Sequence, residues 1–118
     1  MATVEKHIFD SFASIFENRF FPEIAPQDFQ NKENIVCPFC VYSINNIEKQ
    51  TANCGEPDIY SIQFSIYEKD YDKLKELREI FIQAADKLAK RVNVSQNFFA
   101  DLKIYQLICE YDFYFSSM

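Results

Sequence analysis

The residues most suggestive of chemistry are two cysteines in the sequence Cys37-Pro38-Phe39-Cys40. A Cys-Pro-x-Cys sequence at a helix N-terminus lowers the pKa of the first thiol and creates a dithiol redox centre. Such motifs end a strand and open a helix, whereas Val41-Tyr42-Ser43-Ile44 continues as β-branched and aromatic strand sequence. The pattern therefore favours two strand cysteines that act as small apolar side chains, with thiol-redox activity as the alternative.

A zinc site is a second alternative for the same cysteines. Its ligands would be Cys37, Cys40 and Cys54, with His7 or Cys109 as the fourth. Structural zinc sites usually combine two closely spaced ligand pairs, and this chain has only one such pair. We therefore expect reduced, free cysteines, no metal and no cofactor.

Other catalytic constellations are missing from the sequence. His7 is the only histidine, so no pair of histidines can share acid-base work. The carboxylates Asp70 and Asp72 fit the capping of a helix better than catalysis. Because there is also no phosphate-binding loop, nucleophile elbow or dinucleotide fingerprint, we expect that the protein is not an enzyme.

The composition is that of a folded domain with an acidic balance. Of 118 residues, 48% are hydrophobic and 17% aromatic, which predicts one domain over residues 1–118 with a substantial core. The formal net charge of −6 argues against sequence-independent binding to nucleic acid, which needs clustered Lys and Arg. The N-terminus has no pattern of a standard export signal, and no apolar stretch is long enough to predict a membrane span.

Hydrophobic spacing predicts the order α-β-β-α-β. The helices are expected from Thr3 to about Phe20, where Pro22 follows, and from Asp70 or Asp72 to about Val92. The strands are expected at 35–44, 58–68 and 102–115, with a long polar hairpin loop at 45–57 and a second loop at 93–100. This order predicts an α+β fold in which two helices pack on a small, mainly antiparallel sheet.

The chain is unusually rich in aromatic residues, with 13 Phe and 7 Tyr. In the adjacent pairs Phe20-Phe21 and Phe98-Phe99, neighbouring side chains diverge on a strand or helix, so both members cannot enter one core. Some aromatic surface is therefore expected to meet a partner, the alternative being an aromatic-rich core with a few exposed rings.

Several short motifs follow one another in a characteristic order. They are Phe21-Pro22, Ala25-Pro26-Gln27, Pro38-Phe39-Cys40-Val41-Tyr42, the strand at 59–67, Asp70-Tyr71-x-x-Leu74-x-x-Leu77 and Tyr111-Asp112-Phe113-Tyr114-Phe115. This succession resembles the tail completion, or tail terminator, proteins of long-tailed bacteriophages and prophages. In that family the positions of Cys37 and Cys40 are commonly aliphatic, which agrees with structural cysteines.

The resemblance implies a structural virion protein that assembles in the bacterial host cytoplasm. It implies a ring, expected to be a homo-hexamer, that caps the tail tube and joins it to the head-completion complex. The implied partners are other copies of the chain, the tail tube protein and a head-completion or neck protein. The alternatives that remain at this point are a thiol-redox or zinc-binding protein that uses Cys37 and Cys40, a head-tail neck adaptor, and an unassigned binding module.

The resemblance also implies two sets of contact residues. The hairpin loop is expected to touch the tube or a neighbouring subunit through Asn46, Glu48, Lys49, Gln50, Asn53 and Glu56. The ring interface is expected to use Phe21, Tyr67, Phe98 and Tyr114. A ring needs two different complementary patches on each subunit, because its contacts are heterologous.

Overall fold

Two long strands with alternating apolar residues, β3 (Asp58–Glu68) and β5 (Ile104–Phe115), lie at the centre of a mixed sheet. The computed structural model describes residues 3–23, 36–49 and 57–115. In these ranges the sheet has five strands in the order β1-β2-β3-β5-β4, where β1 is Phe20–Pro22, β2 is Phe39–Glu48 and β4 is Lys90–Phe99. The β1–β2 pair is parallel, and the other three pairs of neighbours are antiparallel.

Both α-helices of the described residues pack on the same face of this sheet. The first, α1 (Val4–Phe12), continues into a short 3-10 helix, Ala13–Phe16, and the second, α2 (Tyr71–Asp86), connects β3 to β4. Each helix buries one apolar stripe because its apolar residues recur every three or four positions. The stripes are Val4, Ile8 and Phe12 in α1 and Leu74, Leu77, Phe81 and Ala85 in α2.

The main core lies between the helices and the covered face of the sheet, and aromatic rings dominate it. From the strands it takes Cys40 and Tyr42 of β2, Tyr60, Ile62, Phe64 and Ile66 of β3, and Leu107, Cys109, Tyr111 and Phe113 of β5. These positions alternate along each strand, as expected for a sheet with one covered face.

A smaller apolar cluster occupies one end of the opposite, helix-free face. Phe39 and Ile104 are fully buried there, and Phe39 stacks on Tyr67 with ring centroids 4.8 Å apart. Phe21, Cys37, Val41 and Leu102 are partly buried against this cluster. Among the described residues, this cluster is the part of the helix-free face that has fully buried apolar side chains, and it lies where β1, β2 and the β4–β5 turn come together.

The predicted fold class is confirmed as α+β, and strand β3 has the predicted bounds. The predicted order is incomplete because it lacks β1 and β4. Residues 20–22 were assigned to the end of the first helix and the connector after it, and residues 90–99 to the end of the second helix and the loop that follows. The first α-helix ends at Phe12 rather than near Phe20, and the second ends at Asp86 rather than Val92. Strand β2 runs from Phe39 to Glu48 rather than 35–44, so Pro38 precedes it and the hairpin loop is shorter than predicted.

The N-terminus of α2 is capped by the side chain of Asp70, whose Oδ1 accepts a hydrogen bond from the backbone N of Asp72 at 3.0 Å. We expect Asp70→Ala to lower the free energy of unfolding by about 1 kcal/mol, because the cap satisfies an amide that has no partner in the helix. Chemical denaturation followed by circular dichroism measures this difference. Glu79→Ala on the exposed side of α2 is the control, and an equal loss in both variants would contradict the capping role.

Candidate functional site

Cys40 lies in strand β2, as the sequence predicted, and neither cysteine of the CPFC sequence lies at the start of a helix. Cys37 was also predicted to lie in a strand, but it precedes β2 by two residues. Their side chains pack in different clusters, since Cys40 is buried in the main core and Cys37 is partly buried in the small cluster on the opposite face. In this arrangement the two thiols do not face each other as a dithiol pair would.

The protonation of the thiols agrees with this placement. Burial raises the pKa of Cys37 and, much more, that of Cys40 above the ordinary thiol value. Burial also raises the pKa of Cys109 to about 12. A reactive cysteine needs the opposite shift, because the thiolate is the nucleophile. Cys40 and Cys109 therefore act as small apolar groups of the sheet, and the partly buried Cys37 packs in the same way beside it.

The residues considered for zinc do not form a described site. Cys54 lies outside the described residues, and His7 packs its ring against Phe115 at a centroid distance of 5.5 Å. In the part of the chain that the structure describes, no three His, Cys, Asp or Glu residues are grouped as metal ligands would be. No helix among the same residues is long and apolar enough to cross a membrane.

The structure describes only some of the residues predicted for the contact loop. Asn46 and Glu48 belong to the exposed end of β2, and Lys49 follows that strand directly. The Lys49 Nζ lies 3.1 Å from Asp58 Oδ2 at the start of β3 and 6.0 Å from the ring centroid of Tyr60. This ion pair joins the two strands at the base of the hairpin. Gln50, Asn53 and Glu56 lie outside the described residues.

The four predicted ring-interface aromatics do not form one patch. Phe98 and Tyr114 are more than half exposed, but they lie on opposite faces of the sheet and near opposite ends of β5. Phe98 contacts Tyr105 with ring centroids 4.7 Å apart. Phe21 and Tyr67 are partly buried in the small cluster. The two exposed rings are thus available to a partner, whereas the other two contribute mainly to packing.

Polar side chains form hydrogen bonds across the helix-free face. Ser61 Oγ donates to Asp112 Oδ1 at 2.8 Å, and Gln106 Nε2 donates to the Tyr67 hydroxyl at 2.9 Å. A shallow depression of about 210 Å³ beside Ser61 is also lined by Asn45, Val92 and Glu110. The depression lies where β2 and β4 each contain a bulge, between Ile44 and Asn46 and between Arg91 and Asn93.

Strand β4 forms one edge of the sheet and is the main feature that the sequence analysis missed. It is ten residues long, and every side chain except Val94 is exposed. On its other side no described strand pairs with it. The alternation of Val92 and Val94 with polar residues could have indicated a strand, but the bulge between Arg91 and Asn93 disturbs its period.

The opposite edge of the sheet is only partly covered. Strand β1 pairs with Cys40, Val41 and Tyr42 at the start of β2. Beyond Glu23, whose N donates to the Tyr42 O, no described residue pairs with the outer side of Ser43–Glu48. Among residues 3–23, 36–49 and 57–115, the sheet therefore has two open edges of different sequence, Lys90–Phe99 at one side and Ser43–Glu48 at the other.

The charges at the two edges have opposite signs. Lys90 and Arg91 begin β4, and Glu48 ends β2. Arg91 Nε is 3.8 Å from Asp86 Oδ1, and the same oxygen accepts a hydrogen bond from the Tyr111 hydroxyl at 2.7 Å. Neither Lys90 nor Glu48 forms an ion pair with another described residue.

No protein-family model matches the chain, and no curated protein matches it.

Proposed function

We propose that this protein is a tail terminator, or tail completion, protein of a long-tailed bacteriophage or prophage. In this role it is a structural protein without catalytic activity. Six copies form a ring that caps the finished tail tube and joins it to the head-neck complex. The ring is part of the virion tail and assembles in the cytoplasm of the bacterial host.

The observation that carries this proposal is that both outer edges of the sheet are open among the described residues and differ in sequence. A closed ring of identical subunits repeats one heterologous contact, so each subunit must offer two different patches. The ten-residue edge of β4 and the Ser43–Glu48 edge of β2 are two such patches on opposite sides of one rigid sheet. The order of the sequence motifs supports the assignment of this ring to a phage tail.

The charge of the chain is consistent with a ring through which DNA passes. A channel that bound phosphates tightly would slow the polymer, and a net charge of −6 for each subunit opposes such binding. If the negative charge helps DNA to move through the ring, Lys substitutions at positions that line the channel should slow the DNA. Unchanged DNA passage in such variants would remove this supporting argument without affecting the ring.

The first test is native mass spectrometry of the purified protein without added metal, combined with electron microscopy of the same sample. We expect a metal-free hexamer with four free thiols and ring-shaped particles. A monomer that carries one zinc, or a Cys37–Cys40 disulfide that opens and closes with reductant, would contradict the proposal. Cys37→Ser is the matched variant, since it should abolish a redox function and leave a ring intact.

The second test separates a tail terminator from a neck adaptor. The protein is mixed with the tail tube protein and, separately, with the head-completion protein encoded in the same gene neighbourhood. A terminator should bind the ends of polymerised tubes and stop their growth. Binding to the head-completion protein without binding to tube ends would favour the neck adaptor instead.

A further inference from the structure

The geometry points to an edge-to-edge contact between copies of this chain, in which β4 of one copy pairs with Ser43–Glu48 of the next. This inference rests on the proposed ring and names the residues that close it. An open strand edge carries backbone N–H and C=O groups without partners, and another strand can satisfy them. The complementary edge Ser43–Glu48 of a second copy supplies such a strand for β4.

The strand directions of the sheet fit this contact. Strands β3 and β4 are both antiparallel to β5, so β4 runs in the direction of β3. Strand β2 is antiparallel to β3 and therefore opposite in direction to β4. When two copies keep their helix-covered faces on the same side, β4 of one copy meets β2 of the next as an antiparallel neighbour.

A register follows from the bulges and the faces. The segments Lys90–Ser95 and Ser43–Glu48 have equal length, and each contains one bulge. With Lys90 opposite Glu48, Val94 lies opposite Ile44 on the helix-covered face. Ser95 then lies opposite Ser43 on the helix-free face. Directly opposed residues of an antiparallel pair must share a face, and this register meets that condition at both ends.

Among the registers that the faces allow, the charges favour this one. Lys90 and Glu48 are exposed and on the helix-free face, and the pairing brings their opposite charges together across the contact. The remainder of β4, from Val92 to Phe99, contains no charged residue and no proline. A like charge or a proline in the rest of the pairing segment would oppose this register, and Val92–Ser95 contains neither.

The experiment reverses each charge and reads self-association by sedimentation velocity, up to about 1 mM protein. Lys90→Glu and Glu48→Lys are each expected to weaken association roughly tenfold, because they place like charges opposite each other. Lys73→Glu and Glu79→Lys, on the exposed side of α2, make the same changes of charge away from both edges and should associate like the wild type.

Restoration is the decisive result. A chain with both Lys90→Glu and Glu48→Lys should associate like the wild type, since the pair is re-formed with its charges exchanged. An equal mixture of the two single variants should also assemble, with the variants alternating around an even-numbered ring. If two copies instead met through a two-fold contact between their β4 strands, neither the double variant nor the mixture would restore association, because Glu48 takes no part in that contact.

The outcomes distinguish this inference from the proposed function. If rings form and neither Lys90→Glu nor Glu48→Lys changes their stability, the edge-to-edge contact is wrong, but the proposal of a ring is unaffected. A wild-type chain that stays monomeric up to about 1 mM would also overturn the inference. A protein that forms rings through these edges but does not bind tube ends would retain the contact and contradict the tail function.

Discussion

Replacing Phe12 with Ala is expected to lower the free energy of unfolding by about 3–5 kcal/mol. Phe12 is fully buried at the end of α1. Its ring centroid lies 4.9 Å from that of Phe81 in α2 and 5.5 Å from that of Phe64 in β3. The substitution removes the ring that contacts both the second helix and the sheet, and it leaves a cavity that the surrounding aromatic rings cannot fill without moving.

Urea denaturation followed by circular dichroism measures this effect, and α1 supplies a control. Phe9 is in the same helix but is 43% exposed, so Phe9→Ala should cost about 1 kcal/mol or less. Where Phe12→Ala does not fold, Phe12→Leu should give a smaller but measurable loss. Equal losses for Phe9→Ala and Phe12→Ala would show that the aromatic cluster does not support the fold in this way.

The parts of the fold that the sequence predicted correctly are those with an undisturbed local pattern. Strand β3 has strict alternation of Tyr60, Ile62, Phe64 and Ile66, and its observed bounds are the predicted ones. The start of α2 was also predicted correctly, because the capping side chain of Asp70 precedes a clear helical stripe. In both cases the decisive information lies within about a dozen neighbouring residues.

Two of the errors occurred where no glycine or proline indicates a turn. After the first helix, Glu17 and Asn18 adopt positive φ values of 54° and 66°, a conformation that usually favours glycine. At the end of α2, Leu88 and Val92 keep the helical spacing and therefore suggested a longer helix. The long-range pairing of Lys90–Phe99 with β5 determines the strand there, and no local pattern reports such pairing.

The candidate contact residues were harder to predict than the fold, because the exposure of a strand side chain depends on which neighbours pair with it. Phe98 and Phe21 each belong to an adjacent pair of phenylalanines in the sequence. In the structure Phe98 is 51% exposed on the edge strand, whereas Phe21 is partly buried in the small cluster. The two open edges could not be identified before β1 and β4 were known to be strands.

Raising the pH from 9 towards 12 is expected to remove several kcal/mol of stability, mainly through buried thiols and tyrosines. Burial raises the pKa of Cys109 from 9.0 to about 12. In the unfolded chain this thiol loses its proton near pH 9, whereas the folded protein retains it until about pH 12. The unfolded state therefore binds fewer protons between these values, and stability falls by about 1.4 kcal/mol per pH unit from this group alone.

Other buried groups add to the same loss. Burial raises the pKa of Cys40, and burial together with the hydrogen bond to Asp86 raises that of Tyr111. Their contribution is fully present below the pKa of the unfolded chain and disappears as the pH rises. Urea denaturation at intervals between pH 8 and pH 11 measures the decline, and below pH 8 these groups should cause no change of stability with pH.

The variant Cys109→Ala isolates one thiol within this decline. Its stability at pH 8 should be lower than that of the wild type because a buried side chain is shortened. Above pH 9, however, its stability should fall less steeply, since one titrating group is missing. Cys37→Ala is the matched control, because Cys37 is only half-buried and its removal should change the slope less. An unchanged slope in Cys109→Ala would mean that this thiol is not held in its neutral form by the core.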